Sequence, residues 1–219
     1  MKRREPFPLV ALRVIGLTLW MIITMFPLYW VIVTSLKNPG AIAAYPVEYL
    51  PKAPTLDNYT SLFEQSDFGQ NMVNSLLVSF AAASVATAIA TLSAYVLSRF
   101  QFSGRGAVML AFLATQMIPA FIALGPLYQF LVSLNLVDSR GGLALVYVAM
   151  CIPFSSVMLK GFFDNVPDSL EEAAMVDGCT RLTALGRIII PVMGPGLIAT
   201  FIFNFVNCWN GLFLSGTLL

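Results

Sequence analysis

Five long runs without charged side chains alternate with polar segments along the 219-residue chain. Each run can hold a helix of about 20 residues, which is the length that crosses the hydrocarbon core of a bilayer. The pattern therefore predicts an all-α, polytopic membrane helix bundle in a single domain, residues 1–219. The predicted spans are residues 14–36, 72–97, 107–134, 141–159 and 190–214.

The composition supports a membrane class. Hydrophobic residues make up 58% of the chain and charged residues 11%, with a mean hydropathy of +0.81, whereas a soluble domain has about 25% charged residues. A net charge of +1 gives no electrostatic case for a nucleic-acid partner. With no histidine and three scattered cysteines, Cys151, Cys179 and Cys208, the sequence predicts neither a metal site nor a disulfide framework.

The basic residues predict the orientation of the spans. If the N-terminus is cytoplasmic, nine bases lie inside and three outside, in agreement with the positive-inside rule. The inner bases are Lys2, Arg3, Arg4, Arg13, Arg99, Arg105, Lys160, Arg181 and Arg187, and the outer ones are Lys37, Lys52 and Arg140. A cleaved signal peptide is the alternative for the first span, but its apolar core of 23 residues exceeds the usual 7–15.

The outer segment, residues 37–70, is interrupted by four prolines. Because proline breaks helices, this segment is predicted to be a compact cap of extended chain and turns rather than a domain.

The segment 160–190 differs from the rest of the chain by its charge. It carries eight charged side chains, and five of them are acids between Asp164 and Asp177. Placing the six charges from Asp164 to Arg181 at the bilayer centre would cost about 15–20 kcal/mol. The segment must therefore lie in water, on the cytoplasmic side, and an acidic helix-forming loop in an apolar chain is predicted to be a docking surface for another protein.

A short helix is predicted inside this loop. Asp168 can cap its N-terminus, with Glu171 three residues later as in a capping box. Gly178 suits the left-handed residue that often closes a helix, and Thr180 can cap a second short helix.

The two faces of this predicted helix differ. Leu170, Ala173 and Ala174 share one small apolar face by their spacing, and this face is expected to contact the partner. The acids Glu171, Glu172 and Asp177 are expected to form a rim on the other sides. A membrane-surface helix is the alternative, but such helices are rich in Lys and Arg.

The residues Glu171–Gly178, EEAAMVDG, followed by Ile190-Pro191, resemble the EAA loop of binding-protein-dependent ABC importer permeases. Three further stretches resemble the carbohydrate-uptake branch of these permeases, which includes the maltose and glycerol-phosphate types. They are Met117–Pro119 with Pro126–Tyr128, Ile152–Phe154 with Gly161–Phe163, and Phe205 with Trp209-Asn210.

The resemblance implies an inner-membrane permease subunit that forms half of a sugar-translocation pore. Its partners would be a second similar permease, a dimer of ATP-binding subunits and an extracytoplasmic solute-binding protein. ATP and Mg²⁺ would be bound by the ATPase, with no cofactor in this chain, in a bacterial or archaeal cytoplasmic membrane. Import of glycerol 3-phosphate or a polyol is the alternative. The residues that would couple to the ATPase are Leu170, Glu171, Glu172, Ala173, Ala174, Asp177 and Gly178.

Two other classes fit the chain less well. A secondary transporter needs an ion site in the membrane, and no Asp, Glu or His lies inside a predicted span. A membrane enzyme needs titratable groups in a pocket, which the spans do not offer. The chain has no GxxxxGK[ST] phosphate-binding loop, so ATP must be hydrolysed elsewhere.

Polar and aromatic residues in the third and fifth spans are candidates for the substrate path. Amides in lipid either bond between helices or line a wet path, and the sequence leaves both open. The candidates are Gln116, Pro119, Tyr128 and Gln129 in the third span and Asn204, Asn207, Trp209 and Asn210 in the fifth.

Two departures from the family pattern bear on these expectations. Gly211 stands after Trp209-Asn210, where many relatives have an acid. Family members usually have a sixth spanning helix, so the sequence is expected to be either part of a longer protein or the product of an interrupted gene.

Overall fold

The computed structural model describes residues 7–211 and Ser215. Every regular element in these residues is a helix, so the all-α fold class is confirmed. The chain forms two compact units, one ending at Asn71 and the other beginning at Met72.

The first unit is built on a long apolar helix, α1 (Phe7–Ser35). None of its most apolar 18-residue stretch is buried. A helix that is apolar on every side needs lipid or another apolar surface around it. Two short helices follow, α2 (Pro39–Ile42) and α3 (Asp57–Gln65). The nine residues of α3 correct the expectation of extended chain and turns alone, since the four prolines all precede it.

The polar end of α1 is held by a buried lysine and by an asparagine. Lys37 is 1% exposed, and its Nζ lies 4.6 Å from the ring centroid of Trp30 and donates to the carbonyl oxygen of Glu48. The Asn58 Nδ2 donates to the carbonyls of Ser35 and Lys37 at 2.9 and 2.7 Å. Carbonyls at a helix C-terminus have no partner within the helix, so Asn58 satisfies groups that α1 leaves open.

The second unit contains most of α4 and all later helices. Alanines lie along the buried face of α4, where Ala82, Ala83, Ala86, Ala90 and Ala94 are at most 1% exposed. Side chains this small let neighbouring helices approach closely. The helices are α4 (Phe68–Arg99), α5 (Arg105–Thr115), α6 (Ala120–Ser133), α7 (Arg140–Asp164), α8 (Asp168–Val176), α9 (Arg181–Ala184), α10 (Ile190–Val192) and α11 (Gly194–Trp209).

Within the described residues, three helices are long and apolar enough to cross a membrane by themselves, at residues 8–35, 68–99 and 140–164. They correspond to the first, second and fourth predicted spans. A fourth span is obtained if the bent pair Arg181–Val192 and Gly194–Trp209 is counted as one.

The third predicted span, residues 107–134, is wrong as a single helix. α5 ends at Thr115 and α6 begins at Ala120. Pro119 has an extended backbone with ψ 131°. Its ring removes an N–H donor and disfavours helical backbone in the residue before it, which explains the break. The 11 residues of α5 and the 14 of α6 are about 16 and 21 Å long. Neither reaches the roughly 30 Å of the hydrocarbon core.

The fifth predicted span, residues 190–214, does not begin as a straight helix. The segments Arg181–Val192 and Gly194–Trp209 meet at Met193 with an angle of 79°. Pro195 lies at the start of α11, where the missing N–H has no helical partner to lose. The turn therefore follows Pro191 by two residues, and residues 212–214 of the predicted span lie outside the described residues.

A π-helical turn, Leu185–Ile189, joins α9 to α10. Its hydrogen bonds run over five residues rather than four, and such turns occur mostly as single bulges inside α-helices. The buried positions of this part of the chain continue through α11 and are Leu185, Ile189, Met193, Gly196, Thr200, Asn204 and Cys208.

The connection into α7 is tightly folded. Asn135 and Asp138 both have left-handed backbones, with φ of 55° and 53°. The Ser139 Oγ caps α7 by accepting from the Gly142 N–H at 3.0 Å, and it donates to the Leu136 carbonyl at 2.7 Å. The first turn of α7 is therefore packed against the backbone that precedes it.

Candidate functional site

The helix predicted in the acidic loop is present as α8, but it starts differently from the expectation. Pro167 is the N-cap and makes no capping hydrogen bond, and Asp168 is the first helical residue. The Oδ1 of Asp168 lies 2.6 Å from Nη1 of Arg99, and Oε2 of Glu171 lies 3.4 Å from Nε of the same side chain. The capping-box prediction is wrong because Arg99, on α4, binds both carboxylates.

The end of α8 agrees with the prediction. Gly178 has φ 89°. Its N–H donates to the Met175 carbonyl at 3.1 Å, and the Cys179 N–H donates to the Ala174 carbonyl at 2.9 Å. This pair of bonds is a Schellman motif, which requires a left-handed residue and so favours glycine. Thr180 caps α9 as predicted, accepting from the Thr183 N–H at 3.3 Å.

The two faces of α8 are arranged differently from the expectation. Glu171 and Ala174 are 3% and 2% exposed and pack against their own chain, so the assignment of Ala174 to the outward apolar face and of Glu171 to the solvent rim is wrong. These residues are three apart and share one face of the helix. The opposite face is exposed and consists of Leu170, Glu172, Ala173, Val176 and Asp177.

Glu171 is buried among polar partners from two other helices, α4 and α9. The hydroxyl of Tyr95 donates to its Oε1 at 2.6 Å. Arg99 approaches Oε2, and Nη1 of Arg181 lies 3.5 Å from Oε1. A buried carboxylate needs such partners, because burial without them costs several kcal/mol. We call Tyr95, Arg99, Asp168, Glu171 and Arg181 the inner ionic cluster.

Sequence reasoning missed three members of this cluster. Arg99 and Arg181 were considered only for orientation, and Tyr95 was not considered. The one sequence feature that could have pointed to the cluster is the position of Arg99 at the end of a predicted span. No local pattern connects it with Glu171, since the two lie on helices far apart in the chain.

Asn204 is used inside the helix bundle. It is 1% exposed, and its Oδ1 accepts from the Ser155 hydroxyl at 2.8 Å. Its Nδ2 donates to Oγ1 of Thr87 at 3.1 Å. One side chain of α11 thus joins α7 and α4, which favours the structural alternative for this residue.

Replacement of Asn204 by leucine should weaken the bundle. Two hydrogen bonds between helices are lost at once, so we expect the free energy of unfolding in detergent to fall by about 1–3 kcal/mol. Asn207→Leu is the matched control, because Asn207 is exposed and its amide donates only to the Phe203 carbonyl of its own helix. Equal losses in the two variants would contradict this assignment.

The other candidates of the last helix remain exposed. Asn207, Asn210 and Trp209 all have exposed side chains, so the three asparagines do not form one stripe. Trp209 stacks on Phe205 with a centroid distance of 5.9 Å. Both rings line a groove of about 290 Å³.

The candidates of the third predicted span lie at or after the helix break. Gln116 and Pro119 are exposed in the connection between α5 and α6. Tyr128 and Gln129 are exposed on α6. Tyr128 also lines a cavity of about 300 Å³ together with Val132, Asn135 and Val137.

Two of the cysteines meet, although they looked scattered in the sequence. The Sγ atoms of Cys151 and Cys208 lie 3.8 Å apart where α7 packs on α11, and both are free thiols. In the part of the chain that the structure describes, no group of three or more His, Cys, Asp or Glu could hold a metal ion.

Residues 86–219 match the family of the binding-protein-dependent transport system inner membrane component. The chain belongs to this family. It is therefore a permease, a transport subunit of an ABC importer, and not an enzyme. The resemblance carried by the EAA loop is confirmed.

Named relatives of this permease support the assignment. SmoH of Agrobacterium fabrum, a sulfoquinovosyl glycerol transport system permease protein, is 33% identical over 204 residues, covering 93% of this chain and 72% of that protein. NgcG of Streptomyces coelicolor, a diacetylchitobiose uptake system permease protein, is 35% identical over 194 residues, covering 89% and 64%. MalG of Thermococcus litoralis, a trehalose/maltose transport system permease protein, is 33% identical over 202 residues, covering 91% and 72%.

A solved structure has the same fold as this permease. It is a bacterial ABC transporter involved in the import of the acidic polysaccharide alginate, and it matches with a TM-score of 0.82. The match covers 94% of this chain and 75% of the other, at 21% identity. At this identity the likeness concerns the fold alone.

Proposed function

We propose that this permease forms half of the translocation pore of an ATP-driven sugar importer and is coupled to its ATPase subunits through α8. The exposed face of α8 carries the proposal. One face of α8 is buried in its own chain. The other face is exposed and includes Leu170, Glu172, Ala173 and Val176. The chain has no phosphate-binding loop, so ATP and Mg²⁺ are held by the docked subunits.

The sugar assignment is supported by the relatives, whose names include a sulfoquinovosyl glycerol, diacetylchitobiose and trehalose/maltose. A second similar permease completes the pore, and an extracytoplasmic binding protein delivers the solute. The break between α5 and α6 supports a solute path that passes these two helices. Non-helical backbone at membrane depth is tolerated where it is buried in protein or lines a water-filled cavity. Gln116 lies in this break, and Tyr128 lies about two helical turns beyond it.

Reconstitution of the complete transporter in liposomes tests the proposal. The proposed importer takes up a radiolabelled disaccharide only when ATP is inside and the binding protein is outside. Uptake of glycerol 3-phosphate or a polyol instead of sugars would support the alternative solute class. Uptake that persists without ATP and stops with a proton uncoupler would contradict an ATP-driven importer.

The orientation gives a separate prediction. If nine bases lie inside, Asp57→Cys in a Cys179→Ser background is labelled in intact cells by a membrane-impermeant maleimide, because Asp57 is exposed on the outer segment. Native Cys179, two residues after the acid Asp177, is labelled only after permeabilisation. Labelling of Cys179 in intact cells would contradict the predicted orientation.

A further inference from the structure

Arg99 is the last residue of α4, and its side chain contacts α8 and the segment that leads into α8. Its side chain is 7% exposed. Nη1 contacts Asp168 and Nε contacts Glu171, at the distances given above, and Nη2 donates to the Val166 carbonyl at 2.8 Å. A planar guanidinium suits this arrangement, because its donors form a rigid fork that reaches several acceptors at once.

A second contact lies one helical turn earlier on α4. The Tyr95 hydroxyl donates to Glu171, and its ring packs on Phe163 of α7 with centroids 5.8 Å apart. Tyr95 and Arg99 are four residues apart, so two successive turns of α4 hold the same carboxylate. Both side chains are almost fully buried, at 4% for Tyr95 and 7% for Arg99.

These contacts connect α8 to a helix that is distant in the chain. Short peptide segments, residues 165–167 and 177–180, join α8 to α7 and α9. α4 is joined to α8 only through side chains. α4 also carries Thr87, which binds Asn204 of α11. The inner ionic cluster therefore links α8 by side-chain contacts to α4, and α4 is linked in turn to the core of the bundle through Thr87 and Asn204.

We propose that Arg99 is a positioning residue that transmits the movement of α8 to the inner end of α4 when the ATPase subunits close. This inference rests on the proposed docking of those subunits on the exposed face of α8. Arg99 lies on the opposite, buried side of α8, so it couples the movement without contributing to the docking surface.

The test compares Arg99→Met, Arg99→Lys and Tyr95→Phe in the complete reconstituted transporter. Arg99→Met keeps much of the side-chain length and loses the charge. We expect it to bind the ATPase at the normal ratio and to hydrolyse ATP, while solute moved per ATP falls about fivefold or more. Arg99→Lys should recover part of the loss, since it keeps the charge without the fork. In Tyr95→Phe, the solute moved per ATP should lie between the wild-type value and that of Arg99→Met. Arg187→Met is the control, because Arg187 is exposed and forms no ion pair with any described residue.

The outcomes separate the two proposals. Normal ATPase binding with unchanged transport per ATP in Arg99→Met would overturn the inference alone. A wild-type chain that does not bind the ATPase would overturn the docking proposal and the inference with it. If Arg99→Met fails to assemble, Tyr95→Phe decides. A stable, poorly coupled Tyr95→Phe complex supports transmission, and a fully coupled one shows that the cluster only stabilises the fold.

Discussion

Ala173→Trp is expected to give a stable membrane protein that no longer retains its ATPase. Ala173 lies on the exposed face of α8, so an indole there is expected to project outward and to fill the space that the partner must occupy. We expect at least about tenfold less ATPase to co-purify with the affinity-tagged permease, which corresponds to 1.4 kcal/mol or more of binding free energy. Transport should be lost with it.

Two variants serve as controls for this result. Ala107→Trp places the same bulk on an exposed alanine of α5, and it should leave ATPase binding unchanged. Glu172→Ala should weaken binding by about 0–1 kcal/mol, as is usual for an exposed ion pair, and the effect should shrink at high salt. Ala174→Trp cannot replace Ala173→Trp, because Ala174 is buried and the indole would disrupt the permease itself. Full ATPase retention by Ala173→Trp would show that this face is not the docking surface.

Gly142→Ala is expected to destabilise the permease strongly, whereas Gly141→Ala should not. A Cβ atom on Gly142 would lie 2.2 Å from the Leu136 carbonyl oxygen and 3.0 Å from Oγ of Ser139. That carbonyl accepts from Ser139, and the Leu136 N–H is bonded to Leu131, so the backbone cannot easily move away. We expect a loss of about 1–3 kcal/mol, as for other overpacked sites.

The neighbouring glycine provides the matched control for Gly142→Ala. No atom lies within 4 Å of a Cβ on Gly141, so its alanine variant should stay within about 0.5 kcal/mol of the parent. Both can be compared by thermal denaturation in detergent followed by size-exclusion chromatography. Equal melting temperatures for the two variants would contradict the close approach of α7 to the preceding turn.

The features predicted correctly from sequence are those that local patterns determine. Long uncharged runs led to α1, α4 and α7, because the length of a membrane helix is a property of one segment. The glycine that ends α8 was recognised for the same reason, since a left-handed C-terminal residue is a local requirement. The acidic composition of the loop predicts that α8 lies in water, and this stays a prediction.

The features that were missed depend on residues far apart in the chain. The hydrogen bond that buries Glu171 comes from Tyr95, 76 residues away. From its charge, a glutamate is expected at the surface. Glu171 is buried instead, because α4 supplies Tyr95 and Arg99 as polar partners. Asn204 is similar, because its partners lie on two other helices.

The effect of a proline on a helix also cannot be predicted from the local sequence alone. Pro27, Pro126 and Pro153 all lie inside continuous helices, whereas Pro119 separates two. The residue type is identical in the four positions. Which of them kinks a helix and which breaks it depends on the packing of the surrounding segments, and this information is absent from the local sequence.

The π-helical turn at Leu185–Ile189 has a consequence for how this gene can vary. A π-helical turn holds one residue more than an α-helical turn, so deletion of one residue in Leu185–Ile189 can be absorbed by conversion of the turn to α-helix. Met193, Thr200 and Asn204 then keep the buried face that they now share. Deletion of one residue within α11 cannot be absorbed in this way, because each α-helical residue turns the chain by about 100° and every later position would rotate by that angle. The length of the chain should therefore vary between species more readily in the π-helical turn than in α11.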